Sequence, residues 1–258
     1  MKILVTNDDG IFAEGIYKLA KNLNKYYDVR VVAPDRQRSA TGHAITMHHP
    51  LRAKKIKFFD TDIHAWAVDG TPSDCVKLAI EALLTEKPDI VISGINDGPN
   101  LGTDVLYSGT VSAAIEGAIQ GVQSVAVSMV GTRNQNYDIG VQFSLSIVEQ
   151  LKRKELPKDT LLNVNIPNCN GEDIQGVRIT QLGIRKYKNS FIKRIDPRGQ
   201  SYYWLGGEVI QEEQHDNSDV CSVEENYISV TPIHYDLTKF SLISELQKWN
   251  LNFTNSTL

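Results

Sequence analysis

The feature that most restricts the fold of this chain is the regular alternation of short apolar runs with longer segments of helical periodicity. Apolar runs of strand length lie at 3–5, 29–33, 89–93, 125–128 and 161–166. Segments with an apolar face at helical spacing lie between them, at 14–25, 71–84, 110–121 and 139–153. Such alternation is typical of βαβ units, because parallel strands need a long crossover connection. It predicts an α/β fold with a doubly wound, mostly parallel, Rossmann-like sheet.

The pattern changes after about residue 170. Two further strands are predicted at 177–182 and 226–231, and the polar, aromatic stretch between them predicts a β-rich extension or a long hairpin. Exposed aromatic side chains there would favour a partner surface. The chain closes with an amphipathic segment at 237–250. We therefore expect one domain over 1–258, with an α/β core over about 1–170 and an oligomerisation extension with a C-terminal helix over about 171–258.

Composition narrows the class of protein. The chain has 258 residues, 41% of them hydrophobic, which is enough for one large domain or for one domain with an appendage. Its net charge of -4 argues against binding to nucleic acid polymers or to anionic lipid. An acidic protein that acts on an anionic substrate needs a local positive element, and a metal ion is one way to supply it.

Cysteine spacing and hydropathy bear on the compartment. The cysteines Cys75, Cys169 and Cys221 are isolated and form no CxxC motif, so neither a disulfide framework nor a structural zinc site is expected. The first apolar run is too short for a secretory signal, and no run approaches the ~18 residues of a membrane span. We expect a cytoplasmic protein that does not enter the membrane.

Two adjacent carboxylates follow the first predicted strand. In an open α/β sheet, ligands bind beyond the carboxyl ends of the strands, and Asp8 and Asp9 occupy that position. Adjacent carboxylates repel each other, and a hard cation such as Mg²⁺ or Mn²⁺ relieves the repulsion. The alternative interpretation is a turn with a helix cap, since Asn, Asp and Gly are common turn residues. The position of the two aspartates directly after an N-terminal apolar strand favours the metal site over the turn.

Further oxygen donors follow the second and third strands. Ser39 lies in a loop that also carries Arg36, Arg38 and His43, which could meet a phosphate or act as an acid. Each arginine alone is as well explained by a surface loop, and His43 by a structural hydrogen bond. Asn96 follows the third strand and offers a neutral amide oxygen. Oxygen donors without sulfur or paired histidines predict a hard metal.

A phosphate site is predicted where Ser108, Gly109 and Thr110 lead into an Ala- and Gly-rich helix. A helix start offers backbone N–H groups, and the two hydroxyls add donors. Simple capping explains the same residues and is compatible with phosphate binding. The combination predicts phosphate-ester hydrolysis by a water molecule that the metal activates, with no side chain assigned as the catalytic residue. No GxSxG, Walker or GxGxxG motif is present in the expected places.

Five segments, in this order along the chain, resemble the SurE family of stationary-phase survival proteins. They are MKILVTNDDGIFAEGI, VVAPDRQRSATGHAIT, VDGTPSDCV, PDIVISGINDGPNLGTDVLYSGTVSAAIEGA and YISVTPIHYDLT. The resemblance extends from residue 1 to about residue 238, nearly the whole chain. It implies 5'-nucleotidase activity on nucleoside 5'-monophosphates, often with some hydrolysis of 3'-nucleotides and short polyphosphate.

The resemblance also implies one divalent metal ion per subunit, Mg²⁺ or Mn²⁺. By motif, the ligands are Asp8 and Asp9 of NDDG, Ser39 of RQRSATG and Asn96 of SGIN. The extra carboxylate of Asp97 leaves open whether that residue faces the metal.

The Ser-Gly-Thr element of the family falls on Ser108, Gly109 and Thr110, near the phosphate. The family further implies a homo-oligomer, a dimer or a dimer of dimers, that exchanges C-terminal segments.

Two other functions remain open at this level. An aspartyl-phosphate-forming phosphotransferase also places acids after its first strand, but it needs a further Asp and a Lys at later strand ends, and no such Lys stands out. A non-catalytic nucleotide-binding module that acts through its C-terminal surface would carry the same residues without turnover.

Overall fold

In the computed structural model, the described residues are 1–131, 136–188, 191–210, 212–249 and 251. Their strands are β1 (Lys2–Thr6), β2 (Asp28–Pro34), β3 (Ala53–Lys57), β4 (His64–Val68), β5 (Ile90–Asp97), β6 (Gln123–Val130), β7 (Thr160–Pro167), β8 (Gly176–Ile179), β9 (Lys186–Lys188), β10 (Phe191–Ile195), β11 (Ser201–Leu205), β12 (Glu208–Ile210) and β13 (Tyr227–His234). Their α-helices are α1 (Glu14–Leu23), α2 (Pro72–Leu78), α3 (Gly109–Ile119), α4 (Tyr137–Leu151), α5 (Asp219–Glu224) and α6 (Phe240–Leu246).

Nine strands form one sheet, in the order β3-β4-β2-β1-β5-β6-β7-β13-β8. The six strands from β4 to β7 in this order are mutually parallel, and β3 and β13 run antiparallel to their neighbours β4 and β7. The chain builds outward from β1 through β2 to β4, then returns to β5 on the other side of β1. The strand order therefore reverses between β1 and β5, where α/β sheets bind ligands. The predicted fold class is confirmed.

The central strands bury side chains on both faces of the sheet. In β1, Ile3 and Val5 contribute to one apolar layer and Leu4 to the other, since successive side chains point to opposite faces. Helices α1 and α4 cover the first face, and α2 and α3 cover the second. Each such fully buried aliphatic side chain stabilises the fold by roughly 1.5–3 kcal/mol. This two-sided core fixes the ends of β1 and β5.

The helix predicted from Thr71 begins as its sequence indicates. The Thr71 hydroxyl accepts a 3.0 Å hydrogen bond from the Asp74 N–H, and the Asp74 carboxylate accepts a 2.9 Å bond from the Thr71 N–H. This reciprocal pair is a capping box, with Pro72 in the first turn. The helix α2 is shorter than the predicted segment, because the chain continues as a wider, π-helical turn over Ala79–Leu83.

The pair β3 and β4 had no predicted counterpart. Strand β3 is the edge of the sheet and carries Lys54, Lys55 and Lys57, so it lacks the apolar run of a central strand. Lysines on an edge strand discourage pairing with other chains. Strands β13 and β8 belong to the same sheet, although they lie beyond residue 170 in the chain. The division of the domain into a core over about 1–170 and an extension over about 171–258 stays a prediction.

The predicted extension is a hairpin. Strand β9 pairs antiparallel with β12, with Lys188 opposite Glu208, and β10 pairs with β11, with Phe191 opposite Leu205. The β9–β12 pairs continue the register of the β10–β11 pairs, so these four strands belong to one long hairpin. All residues of β10 and β11 are exposed. The helix α6 is also exposed throughout and is shorter than the predicted 237–250. No helix in the described part of the chain is long and apolar enough to cross a membrane.

Candidate active site

A cleft of about 280 Å³ opens at the carboxyl ends of β1 and β5. Thr6 of β1 lies opposite Ser93 of β5, so the residues that follow β1 meet the last residues of β5, which extends to Asp97, at one edge of the sheet. The residues that line the cleft are Asp8, Asp9, Gln37, Ser39, Ala40, Asn96, Asp97, Gly98, Pro99, Asn100, Asp104, Tyr107 and Ser108. The structure therefore brings together all four predicted metal ligands and the first residue of the predicted phosphate element.

Asp8 is buried and closely surrounded by the start of α3. Its carboxylate accepts a 2.6 Å hydrogen bond from the Thr110 hydroxyl. A Cβ atom on Gly109 would lie 2.8 Å from Asp8 Cβ and 2.9 Å from Asp8 Oδ2, so only glycine permits this approach. Burial raises the pKa of Asp8, and the hydrogen bonds from Thr110 and the backbone oppose this rise without cancelling it. The carboxylate needs a positive partner to be stable in its charged form.

Asp9 is partly buried and lies among other acids. Its carboxylate accepts a 3.0 Å hydrogen bond from the backbone N–H of Asp97. Burial raises the pKa of Asp9 to about 6, the Asp97 N–H lowers it, and the charges of Asp8 and Asp97 raise it further. Two neighbouring carboxylates with raised pKa values form a site of strong negative potential.

The donor set fits a hard divalent cation. Neither Asp8 nor Asp9 forms an ion pair within the residues that the structure describes. The amide nitrogen of Asn96 donates to the Gly98 carbonyl at 2.8 Å, which orients the amide oxygen for another partner. Ser39 Oγ accepts a 2.9 Å bond from Gln37 and keeps its own proton and lone pair. Mg²⁺ and Mn²⁺ prefer such carboxylate and neutral oxygens.

Within the described ranges, no three His, Cys, Asp or Glu side chains are grouped as metal ligands. A site built on Asp8 and Asp9 therefore has only two charged donors and depends on neutral oxygens, water and substrate for the rest of its shell. Mg²⁺ sites are commonly of this kind, because the ion retains several waters and shares its shell with phosphate.

The first turn of α3 points its N-terminus toward the cleft. Ser108 caps the helix, since its hydroxyl oxygen accepts a 3.0 Å bond from the Val111 N–H. The hydroxyl proton stays available to donate to an anion. The helix has 11 residues, enough for its dipole to favour negative charge at this end. The predicted phosphate element is thus placed beside the predicted metal ligands.

Backbone bonds fix the two loops that carry the acids and Ser39. The Arg38 N–H donates to the Asp8 carbonyl at 2.7 Å, and the Ile11 N–H donates to the Pro34 carbonyl at 2.8 Å. Gly10 has a φ of +99°, and a Cβ there would lie 3.0 Å from the Arg36 carbonyl carbon. The loop after β1 therefore crosses the loop after β2 at a point that only glycine fits well.

Three residues of the second loop lie outside the cleft lining. Arg38 donates to the Asp69 carbonyl at 3.0 Å, and Arg36 lies 4.0 Å from Asp35. The Nε2 atom of His43 lies 3.0 Å from Glu116, which lies about two turns along α3 from Ser108. The structure therefore assigns His43 a structural partner and gives no support to it as the acid.

Sequence reasoning missed Asn100, Asp104 and Tyr107 as parts of the cleft. Asn100 is buried, and its side chain donates to Ser128 at 2.7 Å while its carbonyl accepts from Asn165 at 2.9 Å. All three belong to the Gly-, Pro- and Asn-rich loop between β5 and α3. The length of that loop beyond a central strand was the signal that could have found them.

The fold and the cleft define the class of this protein: a doubly wound α/β protein with a polar, acidic cleft at the switch point of its sheet. Within that class the chain belongs to the SurE family, because the family model described as Survival protein SurE matches residues 3–189. The predicted family is confirmed.

Close relatives and a solved structure agree with this assignment. The 5'-nucleotidase SurE of Alkaliphilus metalliredigens (strain QYMF) is 55% identical over 252 residues, 97% of this chain and 99% of the relative. That of Heliobacterium modesticaldum is 54% identical over 249 residues, 96% of this chain and 92% of the relative. The crystal structure of the SurE protein from Aquifex aeolicus superposes with a TM-score of 0.83 at 42% identity and covers 96% of this chain and 98% of that one.

Proposed function

We propose that this chain is a 5'-nucleotidase, which hydrolyses nucleoside 5'-monophosphates to nucleoside and phosphate. Its relatives over nearly the whole chain are named for this activity, so the predicted enzyme class is confirmed. One observation carries the proposal: Asp8 and Asp9 lie in the same cleft as the N-terminus of α3. Acid pairs that hold a cation, next to a helix start that binds an anion, suit a phosphate ester.

We further propose that Asp8, Asp9, Ser39 and Asn96 hold one divalent ion, Mg²⁺ or Mn²⁺. The raised pKa values of the two carboxylates and their lack of ion pairs within the described residues support this. When bound, such an ion polarises a phosphoryl oxygen and lowers the pKa of water, which supplies the nucleophile. Hydrolysis of 3'-nucleotides and short polyphosphate belongs to the same proposal.

The protein side chains bind and orient the phosphate. Ser108 can donate its hydroxyl proton to a phosphoryl oxygen while it caps α3, and the backbone at Gly109 lets the helix start approach the acids. The hydroxyl of Thr110 already donates to Asp8, so its main contribution is to hold that carboxylate. These groups stabilise the negative charge that develops on the phosphoryl oxygens.

Phosphate release from AMP tests the proposal. The purified protein is assayed with Mn²⁺ or Mg²⁺, with EDTA, and as the Asp8→Asn variant. We expect turnover with metal, loss with EDTA, and a fall of at least about a hundredfold in Asp8→Asn. Metal-dependent phosphatase activity that survives unchanged in Asp8→Asn would refute this use of the site.

The alternative functions predict different outcomes. Among the described residues that line the cleft there is no lysine or arginine, whereas an aspartyl-phosphate enzyme pairs its acid with a lysine. Acid quenching after incubation with labelled nucleotide should therefore leave no label on the protein. A non-catalytic module would bind AMP without releasing phosphate.

We propose that the protein forms a homo-oligomer, a dimer or a dimer of dimers, through its extension and C-terminal segment. The large apolar side chains of the hairpin are exposed, including Phe191 at 69%, Trp204 at 65% and Leu205 at 73%. Surfaces of this kind mark protein contacts. The cytoplasmic location stays a prediction.

A further inference from the structure

The long hairpin reaches the active-site cleft through Asp104. This aspartate lines the cleft and belongs to a 3-10 turn, Gly102–Leu106, that leads directly to Ser108. Arg185 lies 2.9 Å from the Asp104 carboxylate, and Tyr187 of β9 donates a 2.6 Å hydrogen bond to the same group. The side chains of Arg185 and Asp104 are only 18% and 19% exposed, so this ion pair is shielded from solvent.

Further bonds join the same two segments. The Thr103 hydroxyl donates to the Arg185 carbonyl at 2.6 Å. The buried Asp219 carboxylate accepts from the N–H of Gly102 and from that of Gly183, both at 2.8 Å. A Cβ on Gly102 would lie 2.7 Å from the Gly183 carbonyl oxygen. The first three residues of the turn, 102–104, are therefore held against residues 183–187, the base of the hairpin.

Charge gives this contact a consequence for substrate binding. Four aspartates line the cleft (Asp8, Asp9, Asp97 and Asp104), and the described lining residues include no lysine or arginine. A divalent ion would balance two of these charges. A nucleoside monophosphate brings up to two further negative charges, so an uncompensated Asp104 would repel it. Arg185 is not among the residues that line the cleft, but its ion pair with Asp104 neutralises this carboxylate.

We infer that Arg185 and Tyr187 are positioning residues, through which the hairpin neutralises Asp104 and fixes the turn that carries the phosphate-binding start of α3. This inference rests on the proposed nucleotidase function. Tyr187 donates to Asp104 from an uncharged phenol, because burial and this hydrogen bond raise the pKa of Tyr187 to about 12 and keep it protonated. The hairpin thus contributes to the active site as well as to the surface.

Steady-state kinetics with AMP test the inference. We expect Arg185→Met to raise KM about tenfold with a smaller change in kcat, since the exposed charge of Asp104 weakens binding of the anion. The double variant Arg185→Met with Asp104→Asn should return KM to near the wild-type value, because it removes both charges. Tyr187→Phe should raise KM less. The rise in KM of Arg185→Met over the wild type should be smaller at high salt, because salt screens the repulsion between Asp104 and the substrate.

The matched control is Lys188→Met. Lys188 lies in β9, next to Tyr187, and forms an ion pair with Glu208 of β12 at 3.1 Å. Its KM should equal that of the wild type. Circular dichroism and thermal unfolding check that each variant is folded.

Two outcomes would overturn the inference: an unchanged KM in Arg185→Met, or a double variant as impaired as the single one, which would indicate a purely structural contact. Failure of the proposed function is separable, because then the wild-type protein itself would not hydrolyse AMP.

Discussion

The Thr110 hydroxyl donates a 2.6 Å hydrogen bond to the Asp8 carboxylate, and both residues are buried. This bond joins the helix start that we propose for phosphate to a carboxylate that we propose for the metal. The two halves of the site are therefore mechanically connected, and a change on one side should affect the other.

Replacement of Thr110 by Val keeps the shape of the side chain and removes the donor. The pKa of Asp8 should then rise further, since the bond from Thr110 now lowers it. We expect metal affinity and kcat/KM to fall about 10–100-fold, the usual effect of losing a partner of a metal ligand. Titration of Mn²⁺ by calorimetry and AMP hydrolysis measure the two effects. Thr110→Ser keeps the hydroxyl, so its metal affinity and kcat/KM should stay near the wild-type values. Equal losses in Thr110→Val and Thr110→Ser would contradict this role of the hydrogen bond.

Gly109 permits the close approach of α3 to Asp8. In Gly109→Ala the new Cβ would lie 2.8 Å from Asp8 Cβ, so the helix start or the carboxylate must shift. Because a misplacement of about 1 Å can cost a hundredfold in rate, we expect kcat/KM to fall by about that factor. Gly171→Ala is the control, since its Cβ would meet no atom within 4 Å. Full activity in Gly109→Ala would show that the contact is dispensable.

The sequence predicted the parts of the site that follow strands. Asp8 and Asp9 come directly after β1, Asn96 is the last residue but one of β5, and the carboxyl ends of parallel strands meet at one edge of a sheet. The start of α2 at Thr71 was equally predictable, because a capping box involves only residues within one turn of the chain.

Contacts between distant segments could not be read from the residues alone. Thr110 and Asp8 are 102 positions apart, and Tyr187 and Asp104 are 83 apart. Such pairs depend on how loops cross in the folded chain, which periodicity does not report. For the same reason the sequence left His43 free to be an acid, whereas the fold directs it to Glu116.

Asp9 should destabilise the metal-free protein at neutral pH. Its pKa rises from 3.8 in the reference state to about 6 in the fold, so the folded state binds more protons between these values and loses stability as pH increases through this window. In EDTA at pH 8, Asp9→Asn should therefore be more stable than the wild type, by about 1–2 kcal/mol after allowance for solvent screening. The difference should vanish near pH 4.

Thermal unfolding of the two proteins across this pH range measures the difference. Addition of Mn²⁺ should reverse the order at pH 8, because the wild type binds the ion more tightly. A wild type that is the more stable protein in EDTA at pH 8 would contradict the assigned burial of this charge.

Tyr107 is a candidate contact for the nucleoside. Its side chain is 67% exposed, lines the cleft and precedes Ser108 directly. Aromatic stacking contributes about 1–3 kcal/mol per base, so Tyr107→Ala should raise KM for AMP by about tenfold. It should leave KM for p-nitrophenyl phosphate nearly unchanged if the base makes the contact. Tyr26→Ala, at 69% exposure and remote from the cleft, should match the wild type with both substrates. Equal losses with the two substrates would place Tyr107 at the phosphate instead.

The hairpin should determine the oligomeric state. Trp204 and Tyr203 of β11 are 65% and 59% exposed, and a soluble monomer would gain nothing from this apolar surface. A charge buried in an interface without a partner is strongly unfavourable, so Trp204→Glu should shift the protein toward monomer at low micromolar concentration. Light scattering coupled to size-exclusion chromatography measures the mass, and Tyr26→Glu controls for loss of an exposed aromatic elsewhere. If Trp204→Glu keeps the wild-type mass, the β10–β11 part of the hairpin is not the interface, and the exposed helix α6 becomes the segment to test.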